Sequence, residues 1–363
     1  MKPDFNFSYF SKKCRLLSFL AAIAVVAIHS DCTFVLDNPS RWNVFVEKLF
    51  CQQLSKWAVP FFFLMSGVWF ARSAYAKGAS GYLQFIIGKV KSLVLPWWLF
   101  AIVAMLVLTP LIVVNNRIGQ QPLFERTIVA SNGVVDAVNN LLGITIPEPK
   151  WAGYLWYVRT LFILFLFAPL WRILLKLSPW MFLAGFVILK FFPFDIPCIY
   201  FGATHTFFLG IFLGAFADSV LLRKRVPHFV SFLLLAMGIA LAVMWAGKDA
   251  GWWRVPIPAR LWGELLPILL GCGIWFSYDV LAGAIPDNLP EYVKWSMWVY
   301  LSYRLFAAYF LSGMRFVLGK SDAVTVVLPF VNVALTMAVC IGIGYLLHRK
   351  CPKAFAVCCG GRG

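Results

Sequence analysis

Charge is scarce in this sequence. Charged side chains make up only 13% of its 363 residues, and acids are rarer still, with 15 Asp and Glu against 32 Lys and Arg. A soluble domain carries about 25% charged residues, so a large soluble domain is excluded. Histidine is limited to four residues, and none of the nine cysteines stands in a C-x-x-C or Cys/His ligand spacing. No metal site is therefore expected. No internal repeat is visible, which counts against a transporter built from inverted repeats. The net charge of +17 is not interleaved with aromatic residues along any one surface segment. It sits in short clusters between apolar runs, the pattern of membrane topology signals and anionic-lipid contacts, so no nucleic acid is expected as a partner.

What is present is hydrophobicity. Residues of the apolar classes make up 61% of the chain, and the mean hydropathy is +0.81. Runs near the roughly 20 residues that cross a bilayer recur throughout. The pattern predicts an all-α polytopic bundle of ten spans, at 16–35, 54–71, 93–114, 152–170, 178–194, 199–217, 228–246, 261–282, 292–312 and 324–347. The first run is longer than a signal-peptide core and lacks a small-residue cleavage site, so it reads as a retained span. Cationic clusters at Lys12–Arg15, Arg72–Lys91, Arg172–Lys176, Arg223–Arg225 and Arg349–Lys353 fall on one side of this scheme. By the positive-inside rule that side, with both termini, is cytoplasmic. Residues 1–350 form the transmembrane domain and 351–363 a short basic tail. Cys32 and Cys51 fall near the outer surface, where pairing competes with the commoner free thiol of apolar helices. The loop over 115–151 is long enough for a lid or a simple solvated connection.

Ionisable residues inside spans are costly and usually face the bundle interior. His29, Arg159, His205, Arg260, Glu264 and Arg304 all fall toward the outer ends of their spans, which outlines a polar chamber near that surface. Each has a plain structural alternative. Arg260 and Glu264, at i and i+4, satisfy one another as a helix pair. Arg304 snorkels or meets Glu264, and His205 is an ordinary polar group near an interface. Asp218 and Asp279 read as interfacial, and Lys190 snorkels. His29 is the sharpest candidate, because neutral imidazole takes up and returns a proton near pH 7. Its competitor is a helix–helix hydrogen bond.

Several local sequences together resemble one family. "LSFLAAIAVVAIHS" is similar to a first span ending in histidine. "WAVPFFFLMSGVWF", with Ser66 and Gly67, resembles the second span, and "YLQFIIGKVKSLVLPWWLF", with Pro96, the basic lead into the third. "LWYVRTLFILFLFAPL" places Trp156, Tyr157, Val158 and Arg159 on a Trp-Phe-Leu-Arg type segment. "FFLGIFLGAF" and the tail "CPKAFAVCCGGRG" complete the set. The chain thus resembles acyltransferase family 3, the polytopic bacterial membrane O-acyltransferases acting on surface glycans.

The resemblance implies a plasma (inner) membrane enzyme with no bound cofactor. An acyl-CoA would serve as cytoplasmic co-substrate, and a glycan or lipid-linked sugar as acceptor on the outer side. His29 becomes the expected catalytic base, and Arg159 an expected ligand for donor phosphates or an oxyanion. Lys89 and Lys91, in an inner basic loop, would dock the donor. Trp156, Tyr157, Arg260, Glu264, Tyr303 and Arg304 would line the acceptor chamber. Two positions depart from the family pattern. The arginine usual eleven residues before the histidine is Ser18, and the span-nine histidine is Tyr303 in "SMWVYLSY". Arg15, fourteen residues before His29, returns to within roughly 40° of its face and is expected to replace the missing arginine. The rival readings are a sugar or lipid flippase and a non-catalytic acyl-CoA-binding relative.

Overall fold

The computed structural model describes residues 7–31, 39–117, 153–191, 204–216, 227–256, 258–319 and 321–361. All regular structure among them is helical. The long loop beyond residue 117, Cys32, Asp218 and the basic cluster at 223–225 lie outside the described residues. The chain divides into two compact units. One joins Met1–Phe61 to Leu222–Gly342, and the other joins Phe62–Leu221 to Ile343–Gly363.

The first unit opens with α1 (Phe7–Ile28) and α2 (Arg41–Glu47), which runs through a π-helical turn at Lys48–Gln53. It continues with α10 (His228–Asp249), α11 (Ala259–Leu281), a 3-10 turn at Glu291–Trp295, α12 (Ser296–Leu318) and most of α13 (Asp322–Lys350). α3 (Ala58–Ala71) begins in this unit. α1 packs along α12, and α10 along α11. Small residues allow the second pairing. A Cβ on Gly273 would lie 2.8 Å from the Leu235 backbone, and one on Gly238 2.8 Å from the Leu270 side chain. Close backbone approach of this kind replaces the missing hydrophobic drive between helices in lipid. The Ser231 and Ser277 hydroxyls bond at 2.9 Å across the same seam, and Trp245 stacks on Trp262 at 4.8 Å.

The second unit holds most of α3, α4 (Tyr82–Lys89), a π-helical turn at Val90–Val94 and α5 (Leu95–Arg117). It adds α6 (Trp156–Leu166), α7 (Ala168–Leu177), α8 (Trp180–Phe191), α9 (His205–Phe216) and the tail helix α14 (Pro352–Cys358). An aromatic cluster fills its middle, where Phe70 meets Phe85, Phe165 and Phe207 at 5.9–6.3 Å. The tail is folded: Phe355 is buried and in edge contact with His348, and α14 packs on α5. Gly360, at φ +64°, sits where any Cβ would strike the Ser92 carbonyl.

Helices stand at all ten expected places. Among the described residues, five are long and apolar enough to cross a membrane: Arg41–Ala71, Tyr82–Leu108, His228–Asp249, Leu261–Leu281 and Asp322–Lys350. A sixth is gained if α6 and α7, bent by 59°, count as one. That bend has a sequence cause. Pro169 lacks the N–H that would continue α6 and would clash with the carbonyl four residues back, so the helix stops at Leu166 and restarts at Ala168. α8 and α9 have 12 residues each among the described ones, about 18 Å of rise, and the residues that follow each lie outside the described residues.

Two boundaries differ from the sequence expectation. α1 starts at Phe7 and ends at Ile28, so it carries Lys12, Lys13 and Arg15 within its length. Lys89 and Lys91 lie on one helical run from Tyr82 to Leu108, not in a loop. Lysine does not stop a helix, and no proline falls between Tyr82 and Leu95 to break the run. Cys51 is a buried free thiol, and Cys32, the partner weighed above, lies outside the described residues.

Candidate functional site

His29 lies one residue past the end of α1, its backbone N–H donating to the Val26 carbonyl at 3.2 Å. Three contacts fix this helix end. Arg304 on α12 donates from Nη1 to the His29 carbonyl at 3.5 Å. Ser30 Oγ donates to the Val26 carbonyl at 2.8 Å. Asn332 on α13 donates from Nδ2 to Ser30 Oγ at 3.0 Å. The Ser30 proton is already committed to Val26, so Asn332 must present its amide N–H to Ser30. Ser30 and Asn332 are both fully buried.

The imidazole itself is half-buried and lies beside the Tyr303 ring, centroids 5.5 Å apart at 30°. Among the described residues no side-chain hydrogen bond ties up either ring nitrogen of His29. The scaffold thus grips the backbone and leaves the reactive atoms available, which is what a proton acceptor requires. Tyr303 is fully buried. It contributes a flat aromatic wall beside the imidazole.

A cavity of about 340 Å³ lies at the N-terminal end of α1. Ser8, Ser11, Lys12 and Arg15 line one wall, and Asp287, Asn288 and Lys294 the other. Lys12 Nζ donates to the Ile285 carbonyl and to Asp287 Oδ1, both at 3.3 Å. The lining is cationic on balance, with three basic groups against one carboxylate. Arg15 is exposed in it, and Ser18 is half-buried one turn further along. Fourteen residues separate Arg15 from His29, about 21 Å of helix.

The second unit holds the other expected residues. Tyr157 is buried and its hydroxyl donates to the Phe62 carbonyl at 3.2 Å and pairs with Ser66 Oγ at 3.0 Å. Trp156 packs on Phe63 at 6.0 Å. Arg159 is buried on the same helix. Lys89 Nζ lies over the Phe165 ring at 4.3 Å, a cation–π contact, while Lys91 is exposed. His205 is buried beside Phe186.

In the first unit Glu264 is half-buried on α11. The Arg260 side chain, and with it the expected i,i+4 pair, lies outside the described residues. Asp279 is paired: its side chain is 4% exposed and bonded to the buried Lys13 ammonium at 2.7 Å. The roles of Ser30, Lys13 and Asn332 escape a reading of the sequence. The Asn in "LPFVNVALTM" is the available signal, a polar amide inside an apolar run.

Apolar helices of membrane-crossing length, with polar groups clustered at both ends of α1, define a multi-pass helical membrane protein. The chain belongs to the family of the acyltransferase domain, whose model matches residues 16–349. No curated protein and no solved structure matches it.

Proposed function

We propose that the protein is an acyl-CoA-dependent O-acyltransferase of the bacterial plasma membrane, most specifically an acetyltransferase. It acts on a hydroxyl of a surface glycan or lipid-linked sugar. The chain crosses the membrane ten times with both termini in the cytoplasm, which puts the Arg15 cavity on the inner side and His29 on the outer. The observation that carries this reading is the shape of α1, with a cationic cavity at one end and an available imidazole about 21 Å away at the other. A donor whose phosphates rest on Arg15, Lys12 and Lys294 needs a long flexible arm to bring its thioester to His29, and the pantetheine arm of CoA is such an arm.

In the reaction His29 takes the proton of the acceptor hydroxyl as its oxygen attacks the thioester carbonyl. The C–S bond breaks, and the proton passes to the departing CoA thiolate. The products are the O-acyl ester and free CoA. Arg159, with Lys89 and Lys91, serves the donor phosphates or the developing oxyanion. Trp156, Tyr157, Arg260, Glu264, Tyr303 and Arg304 belong to the acceptor side.

Reconstituted vesicles given acetyl-labelled CoA and surface glycan will place label on the glycan. Movement of unlabelled glycan across the bilayer without transfer would favour a flippase. Binding of CoA without either would favour a non-catalytic relative. The Ser18 departure has its own test. Arg15→Ala is expected to weaken CoA binding about tenfold, the loss of one charge-assisted phosphate contact. Unchanged affinity in that variant would remove Arg15 from the donor site.

A further inference from the structure

Tyr9 and Lys13, one turn apart on α1, both end on a single carboxylate of α11. Tyr9 Oη donates to Asp279 Oδ1 at 2.6 Å. Lys13 Nζ donates to Oδ1 at 2.8 Å and to Oδ2 at 2.7 Å. Lys13 is fully buried, and its ammonium also sits 3.7 Å over the Trp275 ring, one turn back along α11. Tyr9 meets Tyr278 edge-on at 5.7 Å, and Phe10 meets Trp275 at 6.2 Å.

A buried ion pair of this kind gains little stability over a well-packed apolar pair, because desolvation offsets the attraction. What it adds is direction. Two donors at i and i+4 converging on one carboxylate fix both the height and the rotation of α1. At about 100° per residue, Lys13 points roughly 160° away from Arg15. Holding Lys13 on α11 therefore aims Arg15, with Ser8, Ser11 and Lys12 at helical spacing, into the cavity. The opposite wall begins at Asp287, six residues after α11 ends at Leu281 and eight beyond Asp279. One carboxylate thus registers both walls.

We infer that Asp279, through Tyr9 and Lys13, is the positioning residue of the cavity, setting it to receive the phosphates of an acyl-CoA. The ligand class rests on the donor reading above. The positioning itself does not.

The experiment uses the full-length protein in nanodiscs. Lys13→Met combined with Asp279→Leu removes the pair without leaving a buried orphan charge. CoA binding is measured by calorimetry. A Ser11→Cys background, with and without the pair, is treated with a water-soluble maleimide, and modification at position 11 is read by mass spectrometry. The double variant is expected to stay folded, to bind CoA about tenfold more weakly and to react at that introduced thiol about threefold more slowly. A folded double variant with wild-type CoA affinity and wild-type labelling overturns the inference. Should that variant fail to fold, Asp279→Asn takes its place with the same two readouts and the same overturning result. If the wild-type protein binds no CoA but labelling still depends on the pair, the donor reading fails and the positioning role stands.

Discussion

His29→Ala will reduce acyl transfer about 10³-fold while leaving CoA binding and folding intact. A positioned general base contributes roughly 10²–10⁴ in rate, and alanine removes the imidazole that accepts the proton. The separation of effects follows from how the residue is held. Arg304 bonds to the His29 carbonyl, and Asn332 reaches Ser30, so none of the three contacts that fix the end of α1 uses the imidazole. Truncation removes the ring and its contact with Tyr303 but keeps the scaffold. The measurement is single-turnover transfer from labelled acetyl-CoA, with CoA titration on the same preparation. A His29→Ala protein retaining more than about a tenth of wild-type transfer would remove His29 from the chemistry. A loss of CoA binding equal to the loss of transfer would make the residue structural.

Helix positions are legible in the sequence because apolar runs of spanning length have few other uses. α10 and α13 start within two residues of their expected spans and end three residues beyond them. Ends are less legible where charge and helix propensity disagree. Lys12, Lys13 and Arg15 look like the edge of a membrane segment, yet nothing in them stops a helix, and α1 runs through all three. Helical spacing gives Arg15 a face of its own, and the structure sets that residue against a cavity. Nothing local says that Lys13, two residues earlier, turns inward. That depends on Asp279, 266 residues away, and on Trp275 beneath the ammonium. The support of His29 is hidden for the same reason. Asn332 and Ser30 are 302 residues apart, and their bond exists only once α13 is packed beside the end of α1. Local chemistry marks a candidate base, whereas the groups that hold it come from tertiary pairing. The break at Phe167 is legible in principle from Pro169.

Gly210→Val is expected to cost the second unit about 3 kcal/mol, the upper end for forcing side-chain volume into a filled interface. The physical ground is a backbone-to-backbone seam between α3 and α9. A Cβ on Gly210 would strike the Leu64 carbonyl, and its next neighbour would be the Gly67 Cα at 3.1 Å. A Cβ on Gly67 would strike the Phe207 carbonyl and lie 2.8 Å from the Ile211 nitrogen. Gly214 repeats the pattern against Val68, its Cβ 2.8 Å from that carbonyl. The residues in contact are 64, 67, 68 and 71 on one helix and 207, 210, 211 and 214 on the other, both at i, i+3, i+4, i+7. Each helix therefore offers one continuous stripe of close approach, the arrangement that lets helices associate in lipid without a hydrophobic drive. No side-chain rotation relieves such a clash, because the obstacle is main chain. The helices must separate, and with them Phe207 leaves the aromatic cluster around Phe70 and Phe165. Gly88→Ala is the matched control, since a Cβ there meets nothing within 4 Å and the helix gains about 1 kcal/mol in propensity. Thermal loss of the monodisperse, detergent-solubilised protein separates the two. Gly210→Val should unfold well below the wild type and Gly88→Ala at or above it. A Gly210→Val protein as heat-stable as the wild type would show that α3 and α9 do not meet along this stripe.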